Sequence, residues 1–338
     1  GWMYAIAYRH WQDPRFAWLA SQNPGGGWNA LTWSVPELPA GEARFVSKLH
    51  PDAGYAVLRT DPWEAVDKGV LPSNYLALDF GPHGGGHGHP DKLSFSWWAN
   101  GQLMAPDAGC IAYGNPMHDG YYRQTLAHNT LVVDGASQRP CTGKLLFFAA
   151  EGNLGLVGAA ADDAYPPVRF SRILAVSGSR IIDLTLASDT TEHRYEWVYH
   201  NRGELSSNLQ WIKLDKAPEG AGYQWCHEWR QNRPDGPFTA QWTEKNGKGV
   251  VLYHLTQPGT ILLTALSPDQ PASLRLPLLL QQRQASAVVF ANVLQAFSAQ
   301  APQLQAALLP VTGGSGEQSA FAFDVTDGVN RDVLLVSL

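Results

Sequence analysis

From about Ala43 onward the chain runs in short stretches of alternating apolar and polar residues, punctuated by Gly, Pro, Asn and Asp. A period of two sends successive side chains to opposite faces of a strand, so each such stretch reads as a half-buried β-strand. Three segments have the form of hairpins: Leu93 to Trp97 followed by Asn100-Gly101, Thr130 to Val133 closed by Asp134-Gly135, and Phe170 to Val176 turning at Ser177-Gly178 into Arg180 to Leu186. Val250 to Leu255, Thr260 to Leu266, Ala287 to Val293 and Val333 to Leu338 are further strand candidates, and no strand–helix–strand alternation accompanies them. A single sheet this wide twists until it closes or splits, so a large antiparallel β-sandwich is expected. The Gln/Ala-rich stretch Gln281 to Leu309 fits that pattern least and reads as a loop or edge.

Ahead of the strands, Trp2, Ile6, Ala7 and Trp11 recur at helical spacing, and Asp13-Pro14 supplies an N-cap and first-turn proline for a second short helix. The chain enters this pattern directly, with no charged n-region, apolar h-region or cleavage site, and reads as the continuation of something longer. Of its 338 residues 44% are apolar and only 16% charged, a balance that supports a large core. The net charge of -6 is spread without a basic run, which removes the Lys/Arg footprint of a nucleic-acid binder. No apolar run approaches the roughly 20 residues of a membrane span. Cys110, Cys141 and Cys226 are too few and too scattered for a disulfide framework.

One segment stands apart: Phe80-Gly-Pro-His83-Gly-Gly-Gly-His87-Gly-His89-Pro-Asp91-Lys92, with three histidines and five glycines after a strand candidate, Tyr75 to Phe80. Glycine lets a ligand approach the main chain, and histidine ligates metals or moves protons near neutral pH. A solubilising turn is the plain alternative. A phosphate loop is disfavoured because a strand, not a helix, follows. His87, His89, Asp107 and His128 are donor types that zinc prefers, although Asp107 could equally end a strand and His128 bond within a buried loop. Around them lie Tyr113, Tyr121, Tyr122, Arg123, Trp197, Tyr199 and Arg202. Aromatic faces stack on sugar rings and Arg pairs with carboxylates or sulfates, while each aromatic taken singly is also an ordinary core residue. No Gly-x-Ser-x-Gly elbow, His-Glu-x-x-His helix or EF-hand loop is present.

The strings GPHGGGHGHPDKLSF, APDAG and YYRQTLAHNTLVVDG resemble the heparinase II/III-like polysaccharide lyases, including exo-acting oligoalginate and heparin lyases. The likeness is strongest over residues 75 to 135, with weaker echoes around 195 to 203 and 290 to 297. It implies an N-terminal α/α toroid followed by antiparallel β-sandwich domains. This chain would then comprise the last toroid helices (residues 1–40), a central sandwich carrying the site (41–265) and C-terminal strands (266–338). The resemblance also implies that His87 is the catalytic histidine and that His89, Asp107 and His128 hold a structural zinc. His83, Tyr113, Tyr122, Arg123 and Arg202 become substrate-binding candidates, with Lys92 a further candidate for acid recognition.

The implied reaction is β-elimination at a 4-O-linked uronic acid of alginate or heparin/heparan sulfate type, in the periplasm or outside the cell. It needs a group to neutralise the carboxylate, a base for the C5 proton and an acid for the departing oxygen. In the family the acidic Tyr and its Asn or His partner sit on the toroid, which nothing in this chain matches. A separate or missing N-terminal part is therefore expected, bound as a helical partner, with Tyr113, Tyr121 or Tyr122 as the less favoured substitute phenol. The alternative is a noncatalytic carbohydrate-binding β-sandwich, and a weaker one a metal-dependent hydrolase.

Overall fold

The computed structural model describes residues 2–22, 28, 32, 38, 46–60, 74–255, 258–309, 320–329 and 331–337. The expected division at residues 40–41 and the start of the β pattern at Ala43 lie outside these residues. The chain forms two compact units, Gly1–Val46 and Ser47–Leu338.

In the first unit, helices Trp2–Trp11 and Pro14–Gln22 follow the sequence pattern. Asp13 caps the second helix, its Oδ1 accepting from the Arg15 backbone N–H at 2.9 Å, and Pro14 sits where a helix needs no N–H. The Trp11 and Phe16 rings meet across the turn, with centroids 5.7 Å apart.

The second unit begins with a five-stranded antiparallel meander, Lys48–His50, Tyr55–Arg59, Tyr75–Asp79, Phe95–Ala99 and Gln102–Ala105, in sequence order. Phe95, Trp97 and Ala99 are buried on one face while Ser96 and Trp98 are only partly covered, as the alternation requires. A twelve-stranded sheet stacks on it. Leu58, Leu76 and Trp97 from the meander share a core with Trp197, Tyr199, Trp242 and Phe290 from the larger sheet. Fully burying each such side chain contributes about 1.5–3 kcal/mol. A three-stranded sheet, Gln305–Leu309, Ala320–Thr326 and Arg331–Ser337, packs Phe323, Val325 and Leu334 against Ile182, Leu184 and Val293 of the large sheet.

Two long strands organise the large sheet, Arg180–His200 and Arg275–Phe297, paired from Arg180↔Gln295 to His200↔Leu278 with a bulge between Ser188 and His193. Before the bulge the first of them pairs with Arg169–Ser177; after it, Tyr195–Trp197 pairs with Leu131–Val133. This second half supports the loops that carry the candidate site, because Val198, Leu278 and Leu280 pack beneath Tyr121, Tyr122 and Leu126.

The hairpin at Asn100-Gly101 is present with both residues at positive φ, 52° and 77°. Leu93, read as a strand start, instead takes φ 59° in a turn, and the strand begins at Phe95. Gln281 to Phe297 is not a loop or edge but part of a central strand. Its two buried polar side chains are matched inside the sheet: Gln281 Nε2 donates to Asn292 Oδ1 at 2.7 Å, and His254 Nδ1 lies 2.8 Å from the same oxygen. Among the described residues no helix is long and apolar enough to cross a membrane.

Candidate functional site

The glycine-rich segment leaves the strand Tyr75–Asp79 and closes on itself before the strand Phe95–Ala99. Gly84 and Gly85 take φ 85° and 64°, a region other residues enter at a cost. A side chain on Gly88 would put its Cβ 1.5 Å from the His83 carbonyl oxygen, so the loop pinches shut there only because residue 88 is glycine. His87 ends the short 3₁₀ turn Gly85–His87 and is exposed at the crown. His83 is half-buried at the neck, its Nδ1 enclosed without a partner among the described residues.

The loop base is fixed by charge. Lys92 is buried, with its Nζ 2.7 Å from Asp79 Oδ2 and 3.3 Å from Asp91 Oδ1. Lys92 is therefore no recogniser of substrate acids: two carboxylates already hold its ammonium inside the protein.

Facing the crown, the Tyr113 hydroxyl lies 2.5 Å from His87 Nδ1, with the two rings edge to face. Tyr113 is 67% exposed, so both members of the pair face solvent. Tyr121 and Tyr122, the other two candidate phenols, are fully buried. The Tyr122 hydroxyl donates to the Asp269 carbonyl at 2.6 Å, and Tyr121 packs near His200, which leaves neither a face for a sugar. Arg123 donates from Nη2 to the Gly88 carbonyl at 3.2 Å and so braces the histidine loop from below. Arg202 is spent on Asp269, at 3.2 and 3.3 Å, and meets none of these groups through a hydrogen bond.

Behind the crown, His128 Nδ1 and Asp107 Oδ2 are 2.6 Å apart, and the His89 and His128 rings lie 5.3 Å apart. Burial opposes ionisation of Asp107, but the charge and hydrogen bond of His128 outweigh it and hold the carboxyl down at about 2. Burial likewise opposes a charge on His128, and Asp107 overrides it, raising the imidazole to about 9. Burial and repulsion from His128 lower His89. The three zinc-type donors thus come from three separate segments to one place, and His128 Nε2 is buried with no partner among the described residues. Among the described residues no three donors are drawn close enough to hold an ion in this arrangement, and the Asp107 carboxylate is engaged by the His128 imidazole. In donor chemistry the set fits zinc, two imidazoles and one carboxylate.

Two features here escape a sequence reading. Asn129 knits the segments together: its Nδ2 donates to the carbonyls of Pro106 and Phe95 at 3.0 and 3.3 Å, and its Oδ1 accepts from the His200 backbone N–H at 2.8 Å. Arg172, wholly buried, donates from Nη1 to the Leu93 and Asn129 carbonyls at 2.7 and 2.6 Å and pairs with Asp183. A lone Arg in an apolar strand carries no local signal of this, since its partners come from other strands and loops.

A family model described as heparinase II/III-like, C-terminal, matches residues 43–298 of the chain. An alginate lyase of Stenotrophomonas maltophilia is 31% identical over 232 residues, covering 59% of this chain and 30% of that protein. In fold, the chain resembles the heparan sulfate lyase HepC from Pedobacter heparinus, with a TM-score of 0.72 at 16% identity over 99% of this chain and 47% of that one. A heparinase III structure gives a TM-score of 0.71 at 15% identity, covering 98% and 47%. The chain spans less than half the length of each of these relatives.

Proposed function

Because the chain belongs to the heparinase II/III-like family, we propose that it is the β-rich part of a polysaccharide lyase that cleaves 4-O-linked uronic-acid polymers by β-elimination. The observation that supports this most is the exposed His87–Tyr113 pair, an imidazole and a phenol within one hydrogen bond of each other on a braced loop. Elimination breaks the C5–H bond, forms the C4=C5 double bond with that electron pair, and releases the C4 oxygen, which takes a proton. His87 serves as base or carboxylate neutraliser, and Tyr113 as the phenol that exchanges a proton with it or with the leaving oxygen. The product is an unsaturated uronate whose double bond is conjugated with its carboxylate and absorbs in the ultraviolet.

Alginate, heparin and heparan sulfate are the candidate polymers, in keeping with what the relatives are called. The acidic net charge of this chain does not favour a sulfated polymer by itself. An N-terminal toroid, from the same protein or a separate chain, is proposed as the opposing wall of the cleft, and a periplasmic or secreted location follows from where such polymers occur. His89, Asp107 and His128 would hold zinc in a structural role, the ion tying the histidine loop to the segments behind it. When bound, it supplies rigidity; proton transfer is left to His87 and Tyr113.

The test is ultraviolet absorbance during incubation with each polymer, with and without a toroid fragment, alongside His87→Ala. General acid–base catalysis is worth about 10²–10⁴-fold, so the variant should lose activity by that much while keeping its melting temperature. Wild-type turnover by His87→Ala, or no unsaturated product from any polymer, would remove this reading in favour of a binding module. For the metal, removal by a chelator should lower the melting temperature, and Asp107→Ala protein should no longer retain zinc on dialysis.

A further inference from the structure

This inference rests on His87 and Tyr113 being the reacting pair, and concerns what holds them together. Tyr113 sits in an exposed stretch between Gly109 and Gly114, both at positive φ. A large side chain on such a stretch has several rotamers open to it, and ordering it in one costs entropy. Besides its bond to His87, the Tyr113 ring lies, among the described residues, against one other ring, that of His118, with centroids 4.6 Å apart.

His118 is buried, yet its Nδ1 is 2.9 Å from Oδ1 of the exposed carboxylate of Asp119. Arg123 Nη1 reaches the same oxygen at 3.4 Å, and its Nη2 holds the Gly88 carbonyl, next to His87. The geometry behind this is a single π-turn, His118–Tyr122, closed by the Arg123 backbone N–H on the His118 carbonyl at 3.0 Å. Arg123 lies four residues after Asp119, a spacing at which side chains share one face, and His118 reaches the same carboxylate from the preceding position; single π-turns of this kind recur at functional sites. An apolar residue would fill the space under Tyr113 equally well, so the imidazole and its carboxylate partner call for a reason other than packing.

We propose that His118 is a positioning residue: with Asp119 and Arg123 it forms a tripod that sets the Tyr113 hydroxyl on His87. One leg is the shelf beneath Tyr113, another holds the loop beneath His87, and Asp119 joins them.

The experiment uses the full natural protein with His118→Ala, His118→Phe, Tyr113→Phe and the double variant His118→Ala/Tyr113→Phe. Small misplacement of a reacting group costs up to about 100-fold, so His118→Ala should lower kcat by about 10- to 100-fold with little change in KM. His118→Phe keeps the aromatic shelf and should recover part of that loss. The double variant should be no slower than Tyr113→Phe alone, because His118 acts through Tyr113. Losses that multiply, or wild-type kcat in folded His118→Ala, would overturn the proposal. Should Tyr113→Phe turn over like wild type, the reading of the reacting pair fails instead. The positional claim is then read without turnover, from the nuclear Overhauser effect between the Tyr113 and His87 rings: loss in His118→Ala supports it and persistence refutes it. If His118→Ala does not fold, His118→Leu, which keeps the volume and lacks the ring, takes its place in both measurements.

Discussion

The crown of the histidine loop and the buried junction around Arg172 are built on opposite principles. At the crown, Gly85 and Gly86 face open space, and His87 and Tyr113 face solvent. At the junction, Arg172 and Asp183 are fully buried and meet side-on at 3.0 and 2.6 Å. Trp197 Nε1 and Thr185 Oγ1 donate to the same carboxylate at 2.8 and 3.0 Å, and the guanidinium lies over the Phe95 ring. The two regions are continuous, because Arg172 also grips the carbonyls of Leu93, at the end of the histidine loop, and Asn129, next to His128. The lesson is a division of labour: the groups proposed to meet a polymer are left in water, and their precision is supplied by a polar junction that water does not reach.

That division breaks most completely at Arg172. Removing one partner of a buried, hydrogen-bonded ion pair leaves an uncompensated charge and costs about 3–5 kcal/mol. Arg172→Ala should lose that much by urea denaturation, and its turnover should fall even under conditions where it stays folded, since Leu93 and Asn129 are released. Replacing both partners by apolar residues of similar size, Arg172→Met with Asp183→Leu, should cost less than the single change, because no charge is stranded. A single variant within about 1 kcal/mol of wild type would show that the junction is not the support assigned to it here.

The crown was legible in the sequence and the junction was not, for physical reasons. Three histidines among four glycines have no use in a packed sheet, so the segment from His83 to His89 announces itself. Alternation and turn residues mark the hairpins, because Asn100-Gly101 and Ser177-Gly178 leave the chain few other local conformations. Arg172 and Asp183, by contrast, occur singly in apolar strands. They become diagonal neighbours only once Thr185 pairs with Arg172 and Leu174 with Asp183, and that register is a long-range property. Gln281 to Phe297 conceals its central place in the sheet for a related reason. Its polar residues look solvent-facing until Gln281, Asn292 and His254 satisfy one another across the sheet. His118 gives no signal because a π-turn has no sequence signature.

The crown can be broken separately. Gly88→Ala places a methyl carbon 1.5 Å from the His83 carbonyl oxygen, so the backbone must move. Overpacking of this kind costs about 1–3 kcal/mol, and a backbone clash belongs at the top of that range. Gly86→Ala adds the same methyl where nothing lies within 4 Å, at a position without positive φ. It should stay within about 0.5 kcal/mol of wild type and keep its turnover. Thermal melting and lyase assays on the two variants separate a loop held by sterics from one that merely tolerates glycine. Equal losses, or none in Gly88→Ala, would refute the pinch at residues 83 and 88.

The third test sharpens the contrast by finding its incomplete case. Glu196 lies on the same strand as Asp183 and is as deeply buried, but it has no bidentate guanidinium. Tyr223 donates to Oε2 at 2.6 Å, Arg194 Nε is 3.4 Å from the same oxygen, and Oε1 has no partner among the described residues. Burial therefore outweighs Arg194 and Tyr223 and raises the carboxyl from 4.5 to about 7. An acid whose pKa is raised on folding favours the folded state in its protonated form. Its contribution is complete below about pH 4.5 and is lost as the pH climbs through about 7. Glu196→Gln keeps an acceptor for Tyr223 and has no proton to lose. Wild type should accordingly lose on the order of 2 kcal/mol relative to this variant between pH 5 and pH 9, a difference that cancels the other titrating groups common to both. Parallel stability curves across that range would mean that Glu196 is as well matched as Asp183, and that the strand carries two complete junctions rather than one.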